Sequence, residues 1–188
     1  MELCIGSVND FVNDTRQFPD FSVSSIMLDA AKGLKYLHYE NIVHKDVKPG
    51  NILLSIVNNR STAKLADFGI SKQLEKDQSS FTNTGSCTMK WAAPELLDPL
   101  RKGERCKRSI DIFSLGTVYY FINTGTHLFG KNDKFVLNII KGEYANLGET
   151  LPNQFSLQDL IQNMVYDKSE SRINIKQVLG QEYNNFSM

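Results

Sequence analysis

Cysteine is scarce and poorly placed for cross-linking: Cys4, Cys87 and Cys106 are odd in number and form no C-x-x-C pair. With three isolated histidines, this gives neither a disulfide framework nor a zinc ligand set. A reducing compartment is the expected home. Excess charge is missing as well, because 21 Lys and Arg balance 21 Asp and Glu. A general binder of nucleic acid or acidic membrane needs a basic surplus, so no nucleic-acid partner is expected. No apolar run approaches the roughly 20 residues that cross a bilayer. The opening Met1-Glu2-Leu3-Cys4 lacks the basic start of a signal peptide. The expectation is a cytoplasmic chain without a membrane segment. No internal repeat or low-complexity tract is visible.

What is present suits one domain: 188 residues, 41% of them apolar, can build a sizeable core. From Ser24 to His38 the residues Met27, Ala30, Ala31, Leu34 and Leu37 recur at helical spacing and give one apolar face. Ile110 to Ile122 is apolar on nearly all sides, which predicts a helix buried all round at the centre of the domain. Ser156-Leu157-Gln158-Asp159 reads as a capping box ahead of Leu160, Ile161, Met164 and Val165. Asn174 to Leu179 is a shorter helical stretch. Ile52–Leu54 and Ala63–Ala66 are expected to pair across an Asn58-Asn59 turn. The polar stretch from Ser71 to Thr88 is too long for a simple connection and predicts a functional loop.

Three motifs carry chemistry. His44-Lys45-Asp46-Val47-Lys48-Pro49-Gly50-Asn51 lies between the first amphipathic helix and the hairpin. Asp67-Phe68-Gly69 follows the hairpin, and Ala93-Pro94-Glu95 follows the long polar loop. Each alone is an ordinary loop, turn or helix start. In this order they resemble the catalytic loop, the magnesium-binding segment and the end of the activation segment of protein kinases. The resemblance covers nearly the whole chain, residues 1–188, with an activation segment at 67–95.

The resemblance implies a mainly α, protein-kinase-like fold: a C-terminal helical lobe with a small β-hairpin, the N-terminal lobe missing. It implies a serine/threonine protein kinase that uses ATP and Mg2+ on a protein substrate. Asp46 would orient the acceptor hydroxyl and take its proton, and Lys48 would offset charge on the transferring phosphate. Asn51 and Asp67 would supply the hard oxygen ligands that magnesium requires. Leu53 would lie beneath the adenine. Backbone groups of Glu2 and Cys4 would meet its edge as a hinge, and Asp10 would reach the ribose. Asp111 would bond the backbone of the catalytic loop near His44, and Arg172 would pair with Glu95. His44 and Phe68 are expected as packing residues. A phosphate on Ser79, Ser80, Thr82, Thr84 or Ser86 would pair with Lys45 or Lys72.

A narrower resemblance rests on Glu2-Leu3-Cys4, Asp111-Ile112-Phe113-Ser114-Leu115-Gly116, Val118-Tyr119-Tyr120-Phe121 and Gly125-Thr126-His127-Leu128-Phe129-Gly130. These resemble the cytosolic kinase domain of the inositol-requiring sensors of the unfolded-protein response, which join a kinase to an endoribonuclease. That adds a kinase dimer as a partner and a membrane protein of the endoplasmic reticulum as the longer relative. No ribonuclease activity is expected of these residues. Departures are Lys45, where most kinases have arginine, and Cys87, where the family has glycine. The competing function is a catalytically inactive lobe that acts as a binding module.

Overall fold

The computed structural model describes residues 3–75, 78–82, 88–101, 104–130 and 134–186, with side chains up to Gln181. Short strand β1 (Gly6–Ser7) runs into helix α1 (Val8–Asn13). The join is a capping box: Ser7 Oγ accepts from the Asp10 N–H, and Asp10 Oδ2 accepts the Ser7 N–H at 2.8 Å. Gly6 is required by close approach, since a Cβ there would meet the Phe18 ring at 2.7 Å. Helix α2 (Val23–Tyr39) begins at another capping box, Ser22 with Ser25. It buries the predicted face, Met27, Ala30, Ala31, Leu34 and Leu37.

Strands β2 (Ile42–Val43), β3 (Ile52–Val57) and β4 (Arg60–Leu65) follow. β3 and β4 form the expected hairpin, with Asn58 and Asn59 both at positive φ in the turn. The hairpin is longer than its apolar residues suggest, because paired backbone carries polar residues such as Ser55 opposite Thr62. β1 adds a third strand beside β3, which no local sequence signal marks. α2 supports this sheet: Asp29 Oδ2 accepts the Ala63 N–H at 3.2 Å. β5 (Lys72–Gln73) pairs with β2, and β6 (Ser80–Thr82) pairs, across helix α3 (Pro94–Leu97), with β7 (Arg105–Lys107). The polar stretch after residue 71 therefore holds two short strands.

Helix α4 (Ser109–Thr124) is the central rod, buried from Ile110 to Tyr120. Tyr119 donates from its hydroxyl to the Met27 carbonyl of α2, so the phenol is satisfied inside the core. The remaining helices are α5 (Phe135–Lys141), α6 (Leu147–Thr150), α7 (Phe155–Met164) and α8 (Ile175–Phe186). α4 and α7 approach closely at Gly116, where a Cβ would meet Met164 Cβ at 2.8 Å. The capping box expected at Ser156 is absent. α7 starts two residues earlier, with Gln154 at the cap and no side-chain bond, so Ser156 lies inside the helix. The box sits at α8 instead: Asn174 Oδ1 accepts from the Lys176 and Gln177 N–H groups, and Gln177 accepts the Asn174 N–H. Helix dominates, with three small antiparallel sheets among the described residues. No described helix is long and apolar enough to cross a membrane.

One core group has a pH consequence. His127 is 7% exposed, edge-on to Trp91 at 4.6 Å, and its Nε2 has no partner. Burial, with the Lys90 charge adding to it and the Lys90 backbone opposing, lowers its pKa to about 4. The unfolded chain takes up that proton near pH 6.5. Stability is therefore full above pH 6.5 and falls as the pH drops toward 4, by about 3 kcal/mol. Melting curves should show this slope in the wild type and lose it in His127→Phe. An equal slope in both would refute the assignment.

Candidate active site

The catalytic-loop motif is held from below by α4. Asp111 is 1% exposed, and Oδ1 accepts the Lys45 N–H at 2.8 Å while Oδ2 accepts the His44 N–H at 2.9 Å. This is the backbone anchor expected of Asp111. Sequence reasoning missed its third partner, His38, whose Nε2 donates to Oδ2 at 2.9 Å. The signal was a histidine in the last turn of α2, 73 residues from Asp111 in sequence. A carboxylate this buried needs all three donors. They also hold Lys45 at φ 71°, a backbone state that β-carbon sterics disfavour.

His44 is fully buried, as expected, with both ring nitrogens engaged. Nε2 donates to the Ala66 carbonyl at 3.0 Å, and Nδ1 accepts the Asp46 N–H at 3.3 Å. It is a packing residue that ties the loop to the segment before Asp67. Phe68 differs from expectation: it is 47% exposed and touches only the His44 ring, at 5.2 Å, among the ring contacts of the described residues. The chain turns sharply at Asp67, φ 63°, and swings the phenyl out of the core.

Asp46, Lys48 and Asn51 meet directly. Asp46 is 8% exposed, and its Oδ2 accepts from Lys48 Nζ and, at 3.0 Å, from Asn51 Nδ2. Asn51 Nδ2 also donates to the Asp46 carbonyl at 2.9 Å. Turning the amide over would set its oxygen against two acceptors, so Oδ1 is the atom left for another ligand. Lys48 Nζ donates to Thr88 Oγ1 at 2.9 Å as well, which fastens the segment before α3 to the loop. Burial raises the Asp46 pKa. The hydrogen bonds from Lys48 and Asn51, the neighbouring Thr88 hydroxyl and the Lys48 charge outweigh this and hold it below the ordinary carboxylate value. Asp46 Oδ1 is buried and has no hydrogen-bond partner.

Asp67 joins the group through the backbone. The Ala66 N–H donates to the Asn51 carbonyl at 2.8 Å, which sets Asp67 one residue beyond Asn51. Its carboxylate is exposed, and Oδ1 accepts the Gly69 N–H at 3.3 Å. No group of three or more His, Cys, Asp or Glu that could hold a metal exists among the described residues. The donors that are present, one carboxylate and one amide oxygen, fit magnesium. That ion takes one or two protein oxygens and completes its shell with water and phosphate.

Glu95, in the first turn of α3, forms a buried ion pair. Arg172 Nη1 and Nη2 each donate to a Glu95 oxygen at 2.7 Å. Sequence similarity points the same way as this geometry: residues 1–184 match the protein kinase domain family. The chain belongs to the protein kinase family. The serine/threonine-protein kinase/endoribonuclease ire-1 of Caenorhabditis elegans is 34% identical over 193 residues, 97% of this chain and 20% of that protein. The kinase/endoribonuclease IRE1b of Arabidopsis thaliana is 41% identical over 138 residues, 70% of this chain and 15% of that protein. The kinase/endoribonuclease IRE2 of Homo sapiens is 31% identical over 195 residues, 97% and 20%. The chain spans a fifth or less of these relatives. By family this kinase chain is an enzyme of the serine/threonine type, similar to the kinase/endoribonuclease group that its motifs resemble.

The expected hinge is described only in part, since Glu2 lies outside the described residues, as do Thr84, Ser86 and Cys87. Cys4 is half-buried, and the Ile5 N–H after it donates to the Leu54 carbonyl at 2.8 Å. Leu53 is half-buried, opposite Ser7 on β1 and Lys64 on β4. Asp10 Oδ2 is occupied by the Ser7 N–H and hydroxyl, so this carboxylate first of all caps α1. Lys45 does not stand free for a phosphate: its Nζ lies over the Phe81 ring at 5.6 Å. Ser80 is buried and accepts at Oγ from Arg105 Nε at 2.6 Å, a partner the sequence did not suggest. Ser79 and Thr82 are exposed.

Proposed function

We propose that this chain is the acceptor-side half of a serine/threonine kinase active site, which transfers phosphoryl groups from ATP to protein hydroxyls with Mg2+. The observation that carries the reading is Asp46, whose Oδ2 is held by Lys48 and Asn51 while its buried Oδ1 has no partner. An acceptor hydroxyl that donates to Oδ1 would satisfy this orphan, and the proton would pass there as the oxygen attacks. The depressed pKa keeps Asp46 ionised and able to accept. Lys48 keeps a cation beside the transferring group, and Thr88 holds Lys48 in place.

Asn51 Oδ1 and the Asp67 carboxylate would hold the metal. Bound Mg2+ supplies charge neutralisation on the phosphate oxygens. Leu53 and the backbone at Glu2 and Cys4 would take the adenine, with Asp10 near the ribose. By similarity to a further relative, the sensor for unfolded proteins in the ER of Schizosaccharomyces pombe, the pathway is the unfolded-protein response. The kinase region would face the cytoplasm and work as a dimer. A second reading, a binding module without turnover, draws on Leu3 at 84% and Ile5 at 47% exposure, an apolar edge ready for a partner.

The test is magnesium-dependent nucleotide binding by the natural protein that carries these residues. ATP should raise the melting temperature with concentration only when Mg2+ is present. Asp67→Asn should remove that dependence. Label from γ-labelled ATP should appear on protein serine or threonine. Binding without any label transfer would favour the binding module, and no binding at all would sink both nucleotide roles.

A further inference from the structure

A cleft of about 330 Å³ opens between the N-terminal ends of α4 and α8, beside His38 in the last turn of α2. Its floor is apolar, made by Ile112, Ile173 and Ile175. Its ionisable lining is basic: His38, Arg108, Arg172 and Lys176, with no acidic side chain among the lining residues. Arg172 is already neutralised by Glu95, and His38 is spent on Asp111. Arg108 and Lys176 have no acidic partner among the described residues. Arg108 donates from Nη2 to Asn41 Oδ1, a neutral acceptor.

Two further donors belong to residues that line the cleft. Arg108 Nε and Ser109 Oγ are shut off from solvent and have no hydrogen-bond partner. A buried guanidinium N–H without an acceptor is costly. α4 also starts without any side-chain cap, so the positive end of a 16-residue helix adds to the same potential. All these groups lack the same thing, an acceptor with negative charge. The volume is at the lower end of small-molecule sites, and the apolar floor suits a compact hydrocarbon body.

We propose that this cleft binds a small organic anion, a carboxylate on an aromatic or aliphatic body. The carboxylate sits over Arg108 and Lys176 and the body lies on Ile112, Ile173 and Ile175. A turn of the Ser109 side chain brings its hydroxyl to the anion. The site differs from the nucleotide and acceptor site, but it is wired to it. His38 lines the cleft and donates to Asp111, and Asp111 holds the His44 and Lys45 N–H groups of the catalytic loop.

Benzoate is the probe and benzamide, its uncharged counterpart, the control. Benzoate should raise the melting temperature of the natural protein with concentration, and benzamide should not. Lys176→Gln, at an exposed position that leaves the core intact, should weaken benzoate about tenfold, the worth of one charge-assisted contact. Arg108→Gln should weaken it at least as much, and Lys35→Gln on α2 should not. In NMR the His38 ring signals should move with benzoate. Equal shifts from benzamide, full benzoate binding in Lys176→Gln, or no shift at all would overturn the proposal.

Discussion

Arg172→Met will lower the melting temperature by roughly 6–20 °C, the expectation for breaking a buried ion pair worth about 3–5 kcal/mol in a domain of this size. The Arg172 side chain is fully buried and that of Glu95 is 5% exposed. Beyond the two bonds to Glu95, Arg172 donates to the Tyr166, Ser109 and Asp167 carbonyls, and its guanidinium lies 5.0 Å from the Phe113 ring centre. Methionine fills much of the space and supplies none of the donors. The loss is therefore one stranded carboxylate and three unpaired carbonyls. Arg172→Met combined with Glu95→Leu should recover a large part of the loss, because removing both charges removes the stranded one. Thermal melting of the wild type and the two variants checks this. A drop under about 2 °C for the single variant would show that the pair contributes little.

Asp46→Asn is expected to cut phosphoryl transfer by about 10²–10⁴-fold, the usual range for a positioned proton acceptor. ATP and Mg2+ binding should persist, because Asn51 Oδ1 and Asp67 are untouched. The fold should persist as well. An asparagine oxygen can still accept from Lys48 or Asn51, although the ionic attraction of Lys48 is lost. The pH dependence separates the two roles of Asp46. Its folded pKa is lowered, so the wild type's stability advantage over the variant is full above the ordinary carboxylate value and fades as the pH falls through the folded one. Turnover and melting temperature of both proteins between pH 7 and 3 test this. Undiminished turnover in the variant would remove Asp46 from the chemistry.

Local signals located the elements that pack by periodicity. The face of α2 and the all-round burial of α4 were legible because helical spacing alone decides which side chains share a side. Asp46, Lys48, Asn51 and Asp67 were singled out by the resemblance of their motifs to those of protein kinases, and the first three meet directly in the fold. The start of α7 was misplaced, since Ser156-Leu157-Gln158-Asp159 satisfies a pattern that the backbone passes over. Asn174 was overlooked as a cap although Gln177 stands three residues on. Phe68 was expected inside because the resemblance implies a packing residue there. The left-handed turn at Asp67 sends it outward, and such a turn at a non-glycine residue leaves no local mark.

By its own order of residues the chain determined the helical core, because helical spacing is a short-range property, and it offered Asp46, Lys48, Asn51 and Asp67 as candidates through motifs that resemble those of protein kinases. Tertiary structure alone decided which donors reach which acceptors. His38 on Asp111, Arg105 on Ser80 and Lys45 over Phe81 each join groups from different elements. So does the cleft where Arg108 and Lys176 converge. A hydrogen bond or an ion pair depends on distances of about 3 Å. Those distances are set when α2, α4 and α8 pack together, and no window of sequence contains them.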